Sequence, residues 1–176
     1  MNSIKLILLF YLCITNIAHA LDSDKNQPIS LNADSADIND LKGISIFTGN
    51  VILTQGSLTL KANKLTAIYD KSRKIHKIIA ETDKNSNTPA SIKQLPEGKN
   101  EYIQAQANTI NYLIKNGKIR LLGKASFWQE NSVFRGEIID YDIDKAMLKA
   151  IGNPIGKQGT TEKERVHVTF DPKIAN

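Results

Sequence analysis

The sequence predicts an all-β protein, an open stack of short antiparallel strands with essentially no helix. Three observations predict it. Apolar residues alternate with polar ones at a period of two from Ile29 onward. Turn-forming residues interrupt that alternation about every eight to twelve residues. One duplication spans the chain: Gly49-Asn-Val-Ile-Leu-Thr-Gln55 recurs 74 positions later as Gly123-Lys-Ala-Ser-Phe-Trp-Gln129. The same offset pairs Ile29 with Ile103, Ala33 with Ala107, Gly43 with Gly117, Asp70 with Asp144 and Lys71 with Lys145. A smaller unit, a small residue followed by Asp, Asn or Glu, stands at Ala33-Asp34, Ala62-Asn63, Ala107-Asn108 and Gly136-Glu137, separated by 29, 45 and 29 residues. Such spacing belongs to stacked hairpins rather than to a catalytic domain.

The first twenty residues read as a cleavable secretory signal. Lys5 opens it, an apolar stretch runs from Leu6 to Ile14, and Ala18-His19-Ala20 is a small-x-small site that places cleavage between Ala20 and Leu21. The stretch is too short to span a bilayer. Cys13, the single cysteine, leaves with this segment, so the processed chain has neither disulfide nor thiolate metal ligand. Losing Lys5 leaves 22 basic residues against 18 acidic ones, a mild positive excess spread along the chain. The expected organisation is a signal over 1–20, a β domain over 21–155 carrying the duplication, and a last strand (Val166 to Phe170) with a polar, mobile tail over 156–176.

Taken in order, the expected strands are short, five or six residues each: around Ile44 and Ile46; Val51, Leu53 and Gln55; Leu58, Leu60 and Ala62; Leu65, Ala67 and Tyr69; Ile110, Tyr112 and Ile114; Ile119 and Leu121; Ile139, Tyr141 and Ile143. Turns are expected at Asp40–Gly43, Gly49-Asn50, Gln55-Gly56, Asp70–Ser72, Asn116-Gly117, Gly123-Lys124 and Gly152–Pro154, where glycine or asparagine tolerates positive φ. Thr82 to Asn100, with Pro89, Pro96 and Gly98, reads as an irregular crossover between the two copies, holding one short strand near Ala90 to Gln94. Stacked units give the first strand no reason to meet the last. The sheet is therefore expected to stay open, with unpaired ladder ends that invite a partner strand.

Tests for chemistry fail one by one. Asp140, Asp142 and Asp144 alternate as in a calcium loop, but Lys145 stands where the loop needs Gly and Ile151 where it needs Glu. On a strand the three would share one solvated face. His76 and His167 lack ligand spacing, and neither a nucleophile elbow nor a phosphate-binding glycine loop supports an enzyme. Nucleic acid is not an expected partner, because no basic stripe interleaves with aromatics. The local cluster Lys71, Arg73, Lys74 and Lys77 reads as a solvated turn or as a contact for lipid phosphates. Phe47, Tyr112, Phe127, Trp128, Phe134 and Tyr141 fall on strand runs, where they are either ordinary core or the lining of a cleft that a lipid fills.

Gln27-Pro-Ile29-Ser-Leu31-Asn-Ala33-Asp34, Phe47-Thr-Gly-Asn-Val-Ile-Leu-Thr-Gln-Gly56 and Leu60-Lys-Ala-Asn-Lys-Leu65, continued by Thr88-Pro-Ala90, Ala107–Tyr112 and Leu122–Ala125, resemble the OstA-like family of periplasmic lipopolysaccharide-transport proteins. The resemblance covers nearly all of the chain after the signal. It implies an open β-jelly-roll with an apolar interior for the acyl chains of lipopolysaccharide. It also implies head-to-tail self-joining, an inner-membrane partner at the N-terminal edge, an outer-membrane translocon at the C-terminal edge and no cofactor. By position, Ile29, Ile92, Tyr112 and Ile114 correspond to lipid-contacting places, and Ile29 and Leu31 to the partner edge. The alternative is a related periplasmic docking module that carries no lipid.

Overall fold

The computed structural model describes residues 24–83, 86–153 and 165–170. Twelve strands form among them: β1 (Ser30–Asn32), β2 (Ser35–Asn39), β3 (Ile44–Gln55), β4 (Leu58–Tyr69), β5 (Ile75–Glu81), β6 (Ala90–Gln94), β7 (Ile103–Ala107), β8 (Thr109–Leu113), β9 (Lys118–Gln129), β10 (Ser132–Asp142), β11 (Met147–Ile151) and β12 (His167–Thr169). Two single 3-10 turns, Asp24–Asn26 and Ile114–Asn116, are the helical elements among the described residues.

Every pairing is antiparallel, and the register divides the strands into two leaves. The first leaf runs β2, residues 44–48 of β3, 64–69 of β4, β5, β8, 118–122 of β9, 138–142 of β10, then β11. The second runs β1, 52–54 of β3, 59–61 of β4, β6, β7, 126–129 of β9, 132–136 of β10, then β12. Four long strands thus cross a common spine and join the leaves, as in a jelly roll. The series ends at β1 and β2 on one side and at β11 and β12 on the other, and among the described residues no pairing joins the two ends.

The long strands correct the expectation of five- or six-residue ones. Gly49-Asn50 does not turn the chain. Gly49 (φ 78°) and Asn50 (φ 43°) form a bulge inside β3, where the register to β4 shifts between Thr48 and Val51. Gly123 (φ 77°) and Lys124 (φ 49°) do the same in β9. Positive φ serves a bulge as well as a turn, and a bulge bends a strand from one leaf into the other. The duplication is visible in the elements: β3 and β9 share both bounds at a displacement of 74, as do β2 and β8. The small-then-acidic positions are the spine crossings. The Asp34 amide donates to the carbonyls of Thr48 and Gly49 (3.0 and 3.1 Å), and the Asn108 amide donates to that of Gly123 (2.9 Å).

Inward residues from both leaves make one core. Leu53, Leu60, Ile92 and Phe127 come from the second leaf, and Leu65, Ile78, Ile110, Ile119, Leu121 and Ile139 from the first. The leaves touch directly, with the rings of Phe127 and Tyr141 4.6 Å apart. Trp128 departs from the core reading. It lies on the outer face with Lys61, Lys93 and Gln104, because its neighbour Phe127 takes the inward parity. Asp144 departs as well: β10 ends at Asp142, so Asp144 sits in the following turn and the three aspartates do not share a strand face.

Candidate functional site

The site that the fold builds is the inner face between the leaves, together with the two rims where that face runs out. At the first rim, Leu31 pairs with buried Leu53 and Ile38 with buried Ser45, so both point inward. Among the described residues no strand lies beyond them in the sheet, and Ile38 is 63% exposed. At the second rim, Val168 stands opposite inward-facing Phe134, and Phe170, at the same parity, meets the Phe134 ring edge-on at 5.9 Å. Phe170 remains 69% exposed. Leu148 and Ala150 of β11 pair with Tyr141 and Ile139 and line the same mouth. An apolar face large enough to continue a core, left open at both rims, is what an unfilled interaction surface looks like.

Between the rims the face is closed. Ile92 and Tyr112 are each 2% exposed. Where the free lips of the two leaves meet, a polar contact crosses the gap. Asp24 accepts hydrogen bonds from the Ser57 backbone amide (2.7 Å), the Ser57 hydroxyl (2.6 Å) and the Gln94 amide (3.2 Å), and Gln94 lies against Tyr112 of the opposite leaf. Burial pushes the Tyr112 hydroxyl up to about 12; the Gln94 amide acts the other way, while the Asp24 and Asp144 carboxylates add to the rise. Gln94 Oε1 is buried without a hydrogen-bond partner in the structure.

Of the four residues placed by resemblance, Ile92 and Tyr112 project from opposite leaves into the middle of the inner face. Ile114 packs against the core from the lip, where it opens a 3-10 turn instead of ending a strand. Ile29 stands just before β1 and is 39% exposed at the first rim, next to Leu31. Ala20 and Leu21 lie outside the described residues, as does the tail from Gly156 to Glu164. Sequence reasoning missed Ile38, Val168 and Phe170. The signal for Ile38 was present: the 74-residue offset carries it onto Tyr112.

Comparison with known proteins gives this arrangement a relative. A family described as LptA/(LptD N-terminal domain) LPS transport protein matches residues 30–147. The chain belongs to this family. The match begins at β1 and ends at the first residue of β11. Within the family, the lipopolysaccharide export system protein LptH of Pseudomonas aeruginosa is 33% identical over 159 residues, 90% of this chain and 87% of that protein. LptA of Haemophilus influenzae is 37% identical over 147 residues, 82% of this chain and 80% of that protein. The crystal structure of Pseudomonas aeruginosa LptH, described as the LptA-homologous periplasmic component of the lipopolysaccharide transport device, superposes with a TM-score of 0.72 at 31% identity. It covers 85% of this chain and 99% of that one.

Proposed function

We propose that this chain is a non-enzymatic periplasmic carrier. It holds the acyl chains of lipopolysaccharide between its leaves and bridges an inner-membrane complex to an outer-membrane translocon. The reading rests on one observation above the rest: the apolar inner face runs from rim to rim and, among the described residues, no strand covers either rim. Bringing an acyl chain into water costs about 0.8 kcal/mol per methylene, so ten methylenes amount to roughly 8 kcal/mol and free diffusion is prohibitive. A continuous apolar path lowers that cost without any chemical step. Because the middle is packed, the lipid enters by spreading the leaves, and the Gln94–Tyr112 contact, held from the second lip by Asp24 and Ser57, is what it must part.

Photo-crosslinking tests this reading. A benzophenone amino acid replacing Tyr112 or Ile114 is expected to attach to radiolabelled lipopolysaccharide, whereas the same group replacing outward-facing Trp128 is not. The tight middle favours one second reading, a docking module of the same architecture that carries no lipid. Absence of crosslinks from inside, in a protein whose circular dichroism remains β-rich, would decide for that reading.

A further inference from the structure

The two lips of the trough carry opposite charge. The first leaf ends in four turns, 40–43, 70–74, 114–117 and 143–146, which lie in one row because the hairpins they close are neighbours in the sheet. Backbone bonds tie them in pairs: the Tyr69 amide donates to Gly43 (2.9 Å) and the Ile143 amide to Gly117 (2.8 Å). These turns hold the cations Lys42, Lys71, Arg73, Lys74, Lys115 and Lys145 against Asp40, Asp70 and Asp144. Asp40 is engaged by Arg73 at 2.7 Å. Asp70 is spent on its own turn, accepting from the Ser72 and Lys74 amides and the Ser72 hydroxyl. The second lip, made of residues 55–58, 95–102 and 129–132, holds Glu97, Glu101 and Glu130 against Lys99, with Asp24 bound to it through Ser57 and Lys93 over the Tyr102 ring at 4.4 Å, and remains net negative.

Between the first two turns of the basic lip lies a recess of about 400 Å³. Three cations, Lys42, Lys71 and Arg73, line it with Tyr69 against two carboxylates, Asp40 and Asp70. Lys42, Lys71 and Arg73 are exposed around it. Adjacent turns are two strand spacings apart, about 10 Å, close to the Debye length in physiological salt, so their fields overlap.

We infer that this recess is an anion site for the phosphate-bearing headgroup of the carried lipid, and that the charge difference between the lips fixes which way the headgroup faces. The inference rests on the carrier reading above. With the acyl chains between the leaves, the headgroup must emerge at the lips. A phosphate is attracted to the lysine row and repelled by the Glu97–Glu101 side, leaving that side to uncharged sugar hydroxyls.

The experiment compares native lipopolysaccharide with the same lipid dephosphorylated, binding to wild-type protein, to Lys42→Glu/Lys71→Glu and to a control, Glu97→Lys/Glu101→Lys. All four positions are exposed, so the fold is retained. Native lipid should bind the lysine variant roughly thirtyfold more weakly than wild type, with a shallower salt dependence, because two surface cations facing an anionic headgroup are lost. The dephosphorylated lipid should bind both equally, and the control should lose no affinity. Equal loss for both lipids, no loss for either, or loss in the control would overturn the proposal while leaving the carrier reading in place. Wild-type protein that binds neither lipid would remove the carrier reading itself. Vesicles of phosphatidylglycerol without lipopolysaccharide complete the test: capture of wild type but not of the lysine variant would make the row a membrane contact and overturn the headgroup site.

Discussion

Two glycines hold the bends of this molecule, and each is locked by a side chain from the preceding spine crossing. A Cβ on Gly49 would collide with the Asp34 carboxylate, and one on Gly123 would come within 2.6 Å of the Asn108 amide, at a φ that side chains rarely adopt. Gly123→Ala is therefore expected to cost about 1–3 kcal/mol, read as a lowered urea midpoint at unchanged slope; an unaltered midpoint would mean that the bend is not under constraint. Tyr112 gives a second prediction. Its folded-state pKa lies above the unfolded value near 10, so the folded state holds the proton longer. The stability it contributes is complete below pH 10 and is lost as pH rises toward 12. Roughly 2 kcal/mol should disappear across that window, and Tyr112→Phe should remove this share of the alkaline slope. At this scale the sequence marked Gly49, Gly123, Asp34 and Asn108 through the duplication. It could not say that the glycines bend strands instead of ending them, since one local conformation serves both.

At the scale of strands, alternation located the inward positions of β3, β4 and β8 and of the first-leaf halves of β9 and β10, because parity survives whether a run is cut into two strands or continues through a bulge. The open edges also followed from repetition alone. Alternation missed β1, β2, β5, β7 and β11; of these β2 is the least legible, since its five residues are all exposed and include a single large apolar side chain. Its one inward apolar side chain, Ile38, is left 63% exposed among the described residues. Hydrogen exchange should report this directly: amides of β2 exchange far faster than those of the central β4 and β9, and slow when a second copy or a rim partner is added. Equal protection of β2 and β9 in dilute monomer would contradict an open first rim.

For the whole molecule, the internal repeat supplies a template for joining copies. Inside the chain, β5 of the first unit pairs with β8 of the second, Ile78 facing Tyr112 and Ile79 facing Asn111. β2 is the counterpart of β8, so Ile38 stands for Tyr112 and Asp37 for Asn111. β11 is the counterpart of β5, because Ala80 faces Leu65 as Ala150 faces Ile139; Leu148 then stands for Ile78 and Lys149 for Ile79. If β11 of one copy adds to β2 of the next in the register already used inside, Leu148 meets Ile38 on the inner face. Lys149 then meets Asp37 on the outer one, an opposite-charge pair where the internal junction has Ile79 and Asn111. The exposed apolar rim of each copy is covered by the other, and the inner face continues across the junction. Mixing Ile38→Cys protein with Leu148→Cys protein should give a covalent dimer with a short thiol-bridging reagent, since directly opposed Cβ atoms lie about 5 Å apart. Asp37→Cys with Leu148→Cys should not, because one-residue displacement puts the two thiols on opposite faces of the sheet. Crosslinking of the second pair in place of the first would show that copies join in another register, and crosslinking of neither would show that these rims do not meet.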